Sequence, residues 1–409
     1  MYDAIVVGAG PAGSVCARQL GRDGQRVLLL DRGVFPRDKA CGDALTGKKT
    51  LRALQAMGLC EAFLELHPAA SVELLVVGPS GRRCRLVSTP NQEALRENYV
   101  CPRRIFDQWL LAQCRPWVEV REGIAVTEVG IDETGVTVSG RELSSGRALT
   151  FHSRLVVGAD GASSLVARAA GLRPARARAG AAALRGYFSG CDVSASQLEF
   201  YMLRDILPGY LWVFPLGEGV ANIGIGLAPQ RSGCPPESLA KFLWNALGTH
   251  PALAPRFRHA RLEGRLEGWV LPQWNCRARL SRDRALLIGD AAGLVDPLTG
   301  EGIGNAIVSG QLAAAEGAEA LRAGDLSASR LRRYDRQVHR RLGPELQLAA
   351  LGVRLLQAPW LVDGLIALAD SQPWMGRALS ALIGAPEGKR ELLTVAGWRR
   401  LWRAVALET

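Results

Sequence analysis

Little in this sequence supports a metal site, a disulfide framework or a membrane span. Histidine occurs five times, scattered, and no histidine or cysteine pairs with another at ligand spacing, so no metal is expected. The nine cysteines (16, 41, 60, 84, 101, 114, 191, 234 and 276) form no C-x-x-C pair and follow no secretory start. Their pattern reads as free thiols in a reducing cytoplasm. Low-complexity tracts are absent, and 48% of the residues are apolar although aromatics make up 6%. A sizeable core follows, and a disordered chain is excluded. The most apolar run, Leu346 to Ala369, is interrupted by Arg354, Pro359 and Asp363 and is not a clean span. Positive charge is plentiful, at a net +11, but the arginines are spread rather than blocked. Nucleic acid is therefore not an expected partner, and a basic surface suits an anionic membrane face and a phosphorylated substrate equally.

What the chain does have is glycine in particular places. The opening stretch YDAIVVGAGPAGSVCARQLGRDGQRVLLLDR reads as strand, turn, helix and strand. Gly8, Gly10 and Gly13 give G-x-G-x-x-G: one for the tight turn, one for backbone approach to a pyrophosphate, one for helix-to-strand packing. The helix start would face the phosphates with its unpaired N–H groups. Asp31, ending the second strand, is placed to accept hydrogen bonds from a ribose diol. Ala12 in the first helical turn and Arg32 after the acid complete this candidate dinucleotide site.

Two more strand-glycine-acid turns follow. RLVVGADGASSLVARAAGL (154–172) ends its strand at Ala159-Asp160-Gly161, and RALLIGDAAGLVDPLTGEGIGNAIVSGQLAAA (284–315) ends its strand at Gly289-Asp290. Asp160 and Asp290 are candidate cofactor-binding residues, although taken singly either acid could cap a helix. In the second turn Asp290 can hold a polyol hydroxyl. The loop DPLTGEG, with Gly300, Gly302 and Ile303 at the following helix, would direct N–H groups at the N1–C2=O edge of a reduced flavin. That favours FAD over NAD.

Together, Gly8-x-Gly10-x-x-Gly13, GADG and GDAAG resemble the flavoproteins with the fold of aromatic-ring hydroxylases, over roughly residues 1 to 320. CPRRIFDQWL adds Arg103 and Asp107 in the family's R-x-x-F-D pattern, whose arginine lies near the FAD. Within that superfamily, PRDKACGD resembles the P-x-x-K-x-C-G motif, and GYLWVFPLGEGVANIGIGL the Y-x-W-x-F-P motif, of the geranylgeranyl reductase family. Both look closest to bacterial menaquinone-type members. The resemblance implies FAD as cofactor and an α/β fold: a Rossmann-like FAD-binding domain (1–66, 101–172 and 272–330) with an inserted antiparallel-sheet substrate domain (67–100 and 173–271). IDETGVTVSG reads as a hairpin arm of the FAD domain turning at Thr134-Gly135. A helical C-terminal region, 331–409, ends with Trp398 and Trp402 among arginines, which suits either an interfacial helix or a packed one.

The resemblance also places Cys41 and Gly42 beside the isoalloxazine. Cys41 is then a candidate proton donor, although a free cysteine also serves simply as buried packing. Tyr210, Trp212 and Phe214 fall on one face of a strand that Pro215 is expected to end. They form a sheet core, the wall of a lipid tunnel, or both, and Tyr210 is the second candidate proton donor. Lys39 and Asp43 are expected to pair with each other, to bind the flavin edge, or to be solvated. Glu301 in TGEG is either a catalytic carboxylate or, the reading preferred, a helix-start residue favoured by the helix dipole.

The function implied is reduction of C=C bonds in an isoprenoid chain, carried by a lipid, a prenyl diphosphate or a quinone. The alternative is a flavin monooxygenase or halogenase, for which Lys39, Lys48 and Lys49 are the available lysines; a non-catalytic flavoprotein is a third reading. No second G-x-G-x-x-G marks a nicotinamide-nucleotide domain, so the electron donor is left among NADPH, ferredoxin and another reductase. The expected location is the cytoplasm, with peripheral membrane contact open.

Overall fold

The structure is a computed structural model that describes residues 1–45, 48–87, 98–172, 181–227, 236–372 and 375. Trp398, Trp402 and Cys234 lie outside the described residues.

The apolar runs of Tyr2–Val7 and Val27–Leu30 form adjacent parallel strands joined by the helix Pro11–Arg22. Runs of this kind suit strands covered on both faces. Ala148–Gly158 pairs parallel on the other side of Tyr2–Val7, and Ala285–Leu287 pairs parallel beyond it. All three strand-glycine-acid turns therefore leave one sheet at the same edge. The expected hairpin, Ile124–Ile131 with Val136–Glu142, is antiparallel and joins this sheet through Ala148–Gly158. Its turn is held by Asp132, whose carboxylate accepts from the N–H groups of Thr134 and Gly135.

A second sheet has seven strands, in the order Arg261–Leu271, Ala181–Ser189, Val220–Leu227, Tyr210–Gly217, Gln197–Tyr201, Glu73–Val77 and Arg83–Val87. It departs from the expected antiparallel arrangement at one join, because Gln197–Tyr201 runs parallel to Glu73–Val77. Those two strands come from separate insertions, so no hairpin fixes their relative direction. The stretch 67–100 also divides. Ala69–Ser71 and Asn98–Val100 form a small sheet with Ala44–Leu45, just after Cys41.

Two helices tie the C-terminal part to these layers. Ile303–Ala323 packs on Pro11–Arg22 so closely that a Cβ on Gly310 would lie 2.5 Å from the Ala12 carbonyl oxygen. Ala328–Leu355 buries Leu331, Tyr334, Val338 and Leu342 in the same core as Ile5 and Leu28. Tyr334 Oη donates to the Leu287 carbonyl at 2.6 Å, fixing that helix to the sheet. Pro359–Ser371 then turns away and places Val362 and Ile366 against a separate cluster containing Trp212 and Phe214. Among the described residues no single helix is long and apolar enough to cross a membrane.

Candidate functional site

The first turn is built for a phosphate. Gly8 has φ +103°, and a Cβ there would lie 2.3 Å from the Ala159 carbonyl oxygen; one on Gly13 would lie 1.8 Å from that of Gly8. Only glycine allows the chain to close at both points. Gly10 is the N-cap of Pro11–Arg22 and offers no side-chain cap, which leaves the first-turn N–H groups of Ala12 and Gly13 to an anion. Asp31 braces this turn: its carboxylate accepts from Ala9 N and from Gly33 N, each at 2.7 Å. Both oxygens keep a further lone pair for a ribose hydroxyl. Arg32 is exposed at the strand end.

The second turn serves differently. The Asp160 carboxylate accepts from Ser164 Oγ at 2.5 Å and from Leu165 N at 2.6 Å, so it caps the start of the short helix Leu165–Ala169. What this turn presents to Gly8 is the backbone of residues 159 and 160.

The third turn supplies fewer amides than the loop sequence promises. Asp296 Oδ1 accepts from Leu298 N at 2.8 Å and Thr299 N at 3.0 Å, the Asp296 carbonyl takes Gly300 N at 3.0 Å, and Glu301 N donates to Thr299 Oγ1 at 3.3 Å. The loop is rigid because it spends these groups on itself. The donors it leaves for a ligand are at Gly302 and Ile303, where the helix Ile303–Ala323 begins. Glu301 accepts from Gly304 N at 2.5 Å and acts as a helix-start residue; burial raises its pKa. Gly289 has φ +58°, and a Cβ there would lie 3.0 Å from that of Ala12; Asp290 beside it pairs with Lys39 at 3.1 Å.

Both helix starts open into one cavity of about 1390 Å³, continuous with solvent, which lies between the two large sheets. Pro11, Gly302 and Ile303 line it on one side, and Tyr210, Trp212 and Phe214 on the other. Uncapped amides at the Pro11 helix and turns where no Cβ fits suit a flavin dinucleotide.

Cys41, Gly42 and Arg103 line the same cavity. The Cys41 thiol accepts from Asp43 N at 3.4 Å, and burial raises its pKa, so it is held as a thiol. Arg103 is buried; its guanidinium forks onto Asp107 with two bonds of 2.7 Å, and Arg37 reaches the same carboxylate at 3.0 Å. Burial opposes the charge on Arg103, but the Asp107 pair outweighs it and raises the pKa. Gly42 faces the second sheet, where a Cβ would lie 3.1 Å from the Phe214 ring and 3.3 Å from Trp212 Nε1.

Lys39 and Asp43 do not pair with each other. Lys39 lies 5.2 Å from the centre of the Trp269 ring and reaches Asp290, whereas Asp43 is fully buried with φ +63°. The Asp43 carboxylate accepts from Tyr187 Oη at 2.7 Å, Asn222 Nδ2 at 2.8 Å and Arg103 N at 3.1 Å. Burial nevertheless raises its pKa to about 6. The sequence reading missed Tyr187, Asn222 and Arg185. One signal for Asn222 was available, a lone amide among apolar residues and glycines in VANIGIGL.

Tyr210, Trp212 and Phe214 share a face as expected, with Leu211 and Val213 packed in a different cluster behind them. The strand is not ended by Pro215 but continues to Gly217, with an irregular register after Pro215 that absorbs the missing N–H. Tyr210 Oη donates to the Thr299 carbonyl of the third turn, and burial raises its pKa. Its proton is thus already committed.

The model of the FAD binding domain family matches residues 1–343. A digeranylgeranylglycerophospholipid reductase of Methanococcoides burtonii is 33% identical over 84% of this chain and 81% of its own. One of Methanopyrus kandleri is 31% identical over 85% of each. A crystal structure of a geranylgeranyl bacteriochlorophyll reductase-like protein from Thermoplasma acidophilum superposes with a TM-score of 0.80 at 25% identity, over 99% of this chain and 96% of that one. The myxobacterial chondrochloren halogenase shares the fold, with a TM-score of 0.75 at 23% identity over 87% and 83%. The chain binds FAD and belongs to the geranylgeranyl reductase family of FAD-dependent oxidoreductases.

Proposed function

We propose that this enzyme saturates C=C bonds in an isoprenoid chain carried by a lipid or quinone, the chain lying between the flavin and the wall of Tyr210, Trp212 and Phe214. The observation that carries this reading is that wall. Three aromatic side chains from one strand, two of them packed against Gly42, line with Cys41 a cavity that also receives both helix starts. The names of the archaeal relatives support the same substrate class.

Reduced FAD, when bound, supplies hydride. An isolated alkene accepts hydride poorly, so the chain must be aligned and the adjacent carbon must receive a proton as charge develops. The apolar wall aligns the chain and excludes water. Cys41 holds a proton at Sγ in the same cavity, because burial keeps the thiol protonated. Tyr210 serves as wall and brace, since its hydroxyl proton is given to the Thr299 carbonyl. The first-turn amides of Ala12 and Gly13 would hold phosphate, and those of Gly302 and Ile303 would stabilise negative charge on the reduced flavin.

Among the described residues, both lysines open to a halogenase are paired, although Lys39 lines the cavity. Lys39 is paired with Asp290, and Lys49 reaches Asn305 at 2.6 Å and Glu345 at 2.7 Å. The side chain of Lys48 lies outside the described residues.

Peripheral membrane contact from the cytoplasmic side belongs to the proposal. The basic chain and Trp360, 75% exposed at the corner between two C-terminal helices, support it. NADPH, ferredoxin and a separate reductase are the donors to be compared.

The test is anaerobic incubation of purified protein and dithionite-reduced FAD with a lipid and quinone extract, read by mass spectrometry. Products heavier by pairs of hydrogens are expected. Substrates unchanged until air is admitted, and then carrying oxygen or halogen, would overturn the proposal.

A further inference from the structure

The loop that carries Cys41 is gripped from the second sheet. Arg185 donates to Asp38 Oδ2 at 2.6 Å and to the Lys39 carbonyl at 3.3 Å, and Tyr187 donates to Asp43. Asn222 makes the central contact. Its Nδ2 donates to the Cys41 carbonyl at 2.7 Å and to Asp43 Oδ2 at 2.8 Å, while its Oδ1 accepts from Trp212 Nε1 at 3.0 Å. The amide is fully buried. Its orientation is fixed by chemistry, because an indole N–H can only donate and a carbonyl can only accept. No other side chain of this reach offers two donors and one acceptor: aspartate lacks the donors, and serine is too short. Two residues on, Gly224 gives Trp212 its seat, since a Cβ there would lie 2.1 Å from the indole.

We propose that Asn222 is a positioning residue, which fixes the thiol of Cys41 relative to the aromatic wall by holding the Cys41 carbonyl, the Asp43 carboxylate and the Trp212 indole at once. The assignment rests on the reading of Cys41 as proton donor only for its effect on turnover. Its structural content stands apart from that reading. Asn222 touches neither chain nor flavin in this role, and acts through Cys41.

The experiment uses the FAD-loaded enzyme and the variants Asn222→Ala and Asn222→Asp, the second keeping the shape and the acceptor for Trp212 while removing both donors. Alkylation by iodoacetamide is followed site by site with peptide mass spectrometry. Loss of the carbonyl bond loosens the loop, so Cys41 should react roughly tenfold faster in both variants, while fully buried Cys16 keeps its wild-type rate. Tyr187→Phe, which leaves the Cys41 carbonyl bond in place, should change Cys41 alkylation by less than about twofold. Turnover should fall about tenfold on Asn222→Ala when Cys41 is present, and by less than about twofold when Cys41→Ser is already there.

Wild-type alkylation of Cys41 in both Asn222 variants would overturn the assignment. So would a parallel rise at Cys16, which marks general loosening, or an equal loss of turnover in the Cys41→Ser background. A wild-type enzyme that reduces no prenyl chain would instead sink the proposed function, and the alkylation result would still decide the role of Asn222.

Discussion

Asp43→Asn isolates the energetic consequence of burying a carboxylate beneath the cysteine loop. The substitution is conservative in backbone terms, because aspartate and asparagine both tolerate the φ of +63° found there. Asp43 is fully buried, and its pKa stands at about 6 against an ordinary 3.8. The native state therefore binds this proton more tightly than the unfolded chain does. Stability from this group is greatest below the ordinary carboxylate range and is lost as pH rises through the window from 3.8 to about 6. The full difference is about 3 kcal/mol, of which about 2 kcal/mol falls between about pH 4 and about pH 7. Absolute stabilities of the two proteins also differ through hydrogen bonding, since an asparagine amide must meet one of the donors from Tyr187, Asn222 or Arg103. The pH slope does not depend on that difference. Urea unfolding of both proteins across this range should show the wild type losing about 2 kcal/mol relative to the variant as pH rises. Parallel curves, or a wild type that gains on the variant, would refute the reasoning.

Gly13→Ala should yield a folded protein without bound flavin, seen as loss of absorbance near 450 nm after purification, because its Cβ would lie 1.8 Å from the Gly8 carbonyl oxygen. Cys41→Ser should retain FAD and lose about 100-fold in turnover, the usual worth of a positioned proton donor. Tyr210→Phe should lose less than about threefold by the same assay, since its hydroxyl faces the Thr299 carbonyl. Arg103→Ala strands the buried carboxylate of Asp107, although Arg37 still touches it, and should lower stability by about 3 kcal/mol in a denaturation curve.

The parts of the site that local spacing controls were legible before folding. A glycine needed for a turn, a proline at a helix start and a run of apolar residues in a buried strand each act within a few residues of themselves. The three turns, the FAD site and the shared face of Tyr210, Trp212 and Phe214 all belong to this class. The two readings left open for the glycine-acid turns divided on their partners, one set local and the other distant in the chain. Asp160 finds Ser164 and Leu165 within five residues and caps a helix, whereas Asp290 has Lys39, 251 positions away in the chain, as its partner. The division of the amides in DPLTGEG was less visible, because Asp296 competes for the groups that a ligand would use.

By itself, then, the sequence determined the cofactor turns, the family and the aromatic face, since each is written in residues that interact over one turn or one strand. Tertiary structure alone decided what surrounds Cys41. Asp43 meets Tyr187 and Asn222 across 144 and 179 positions, and Trp212 meets the cysteine loop through Asn222. Such bonds depend on which strands lie side by side and in what register, and no spacing along the chain encodes a hydrogen bond between groups that only the packing of the two sheets brings within 3 Å.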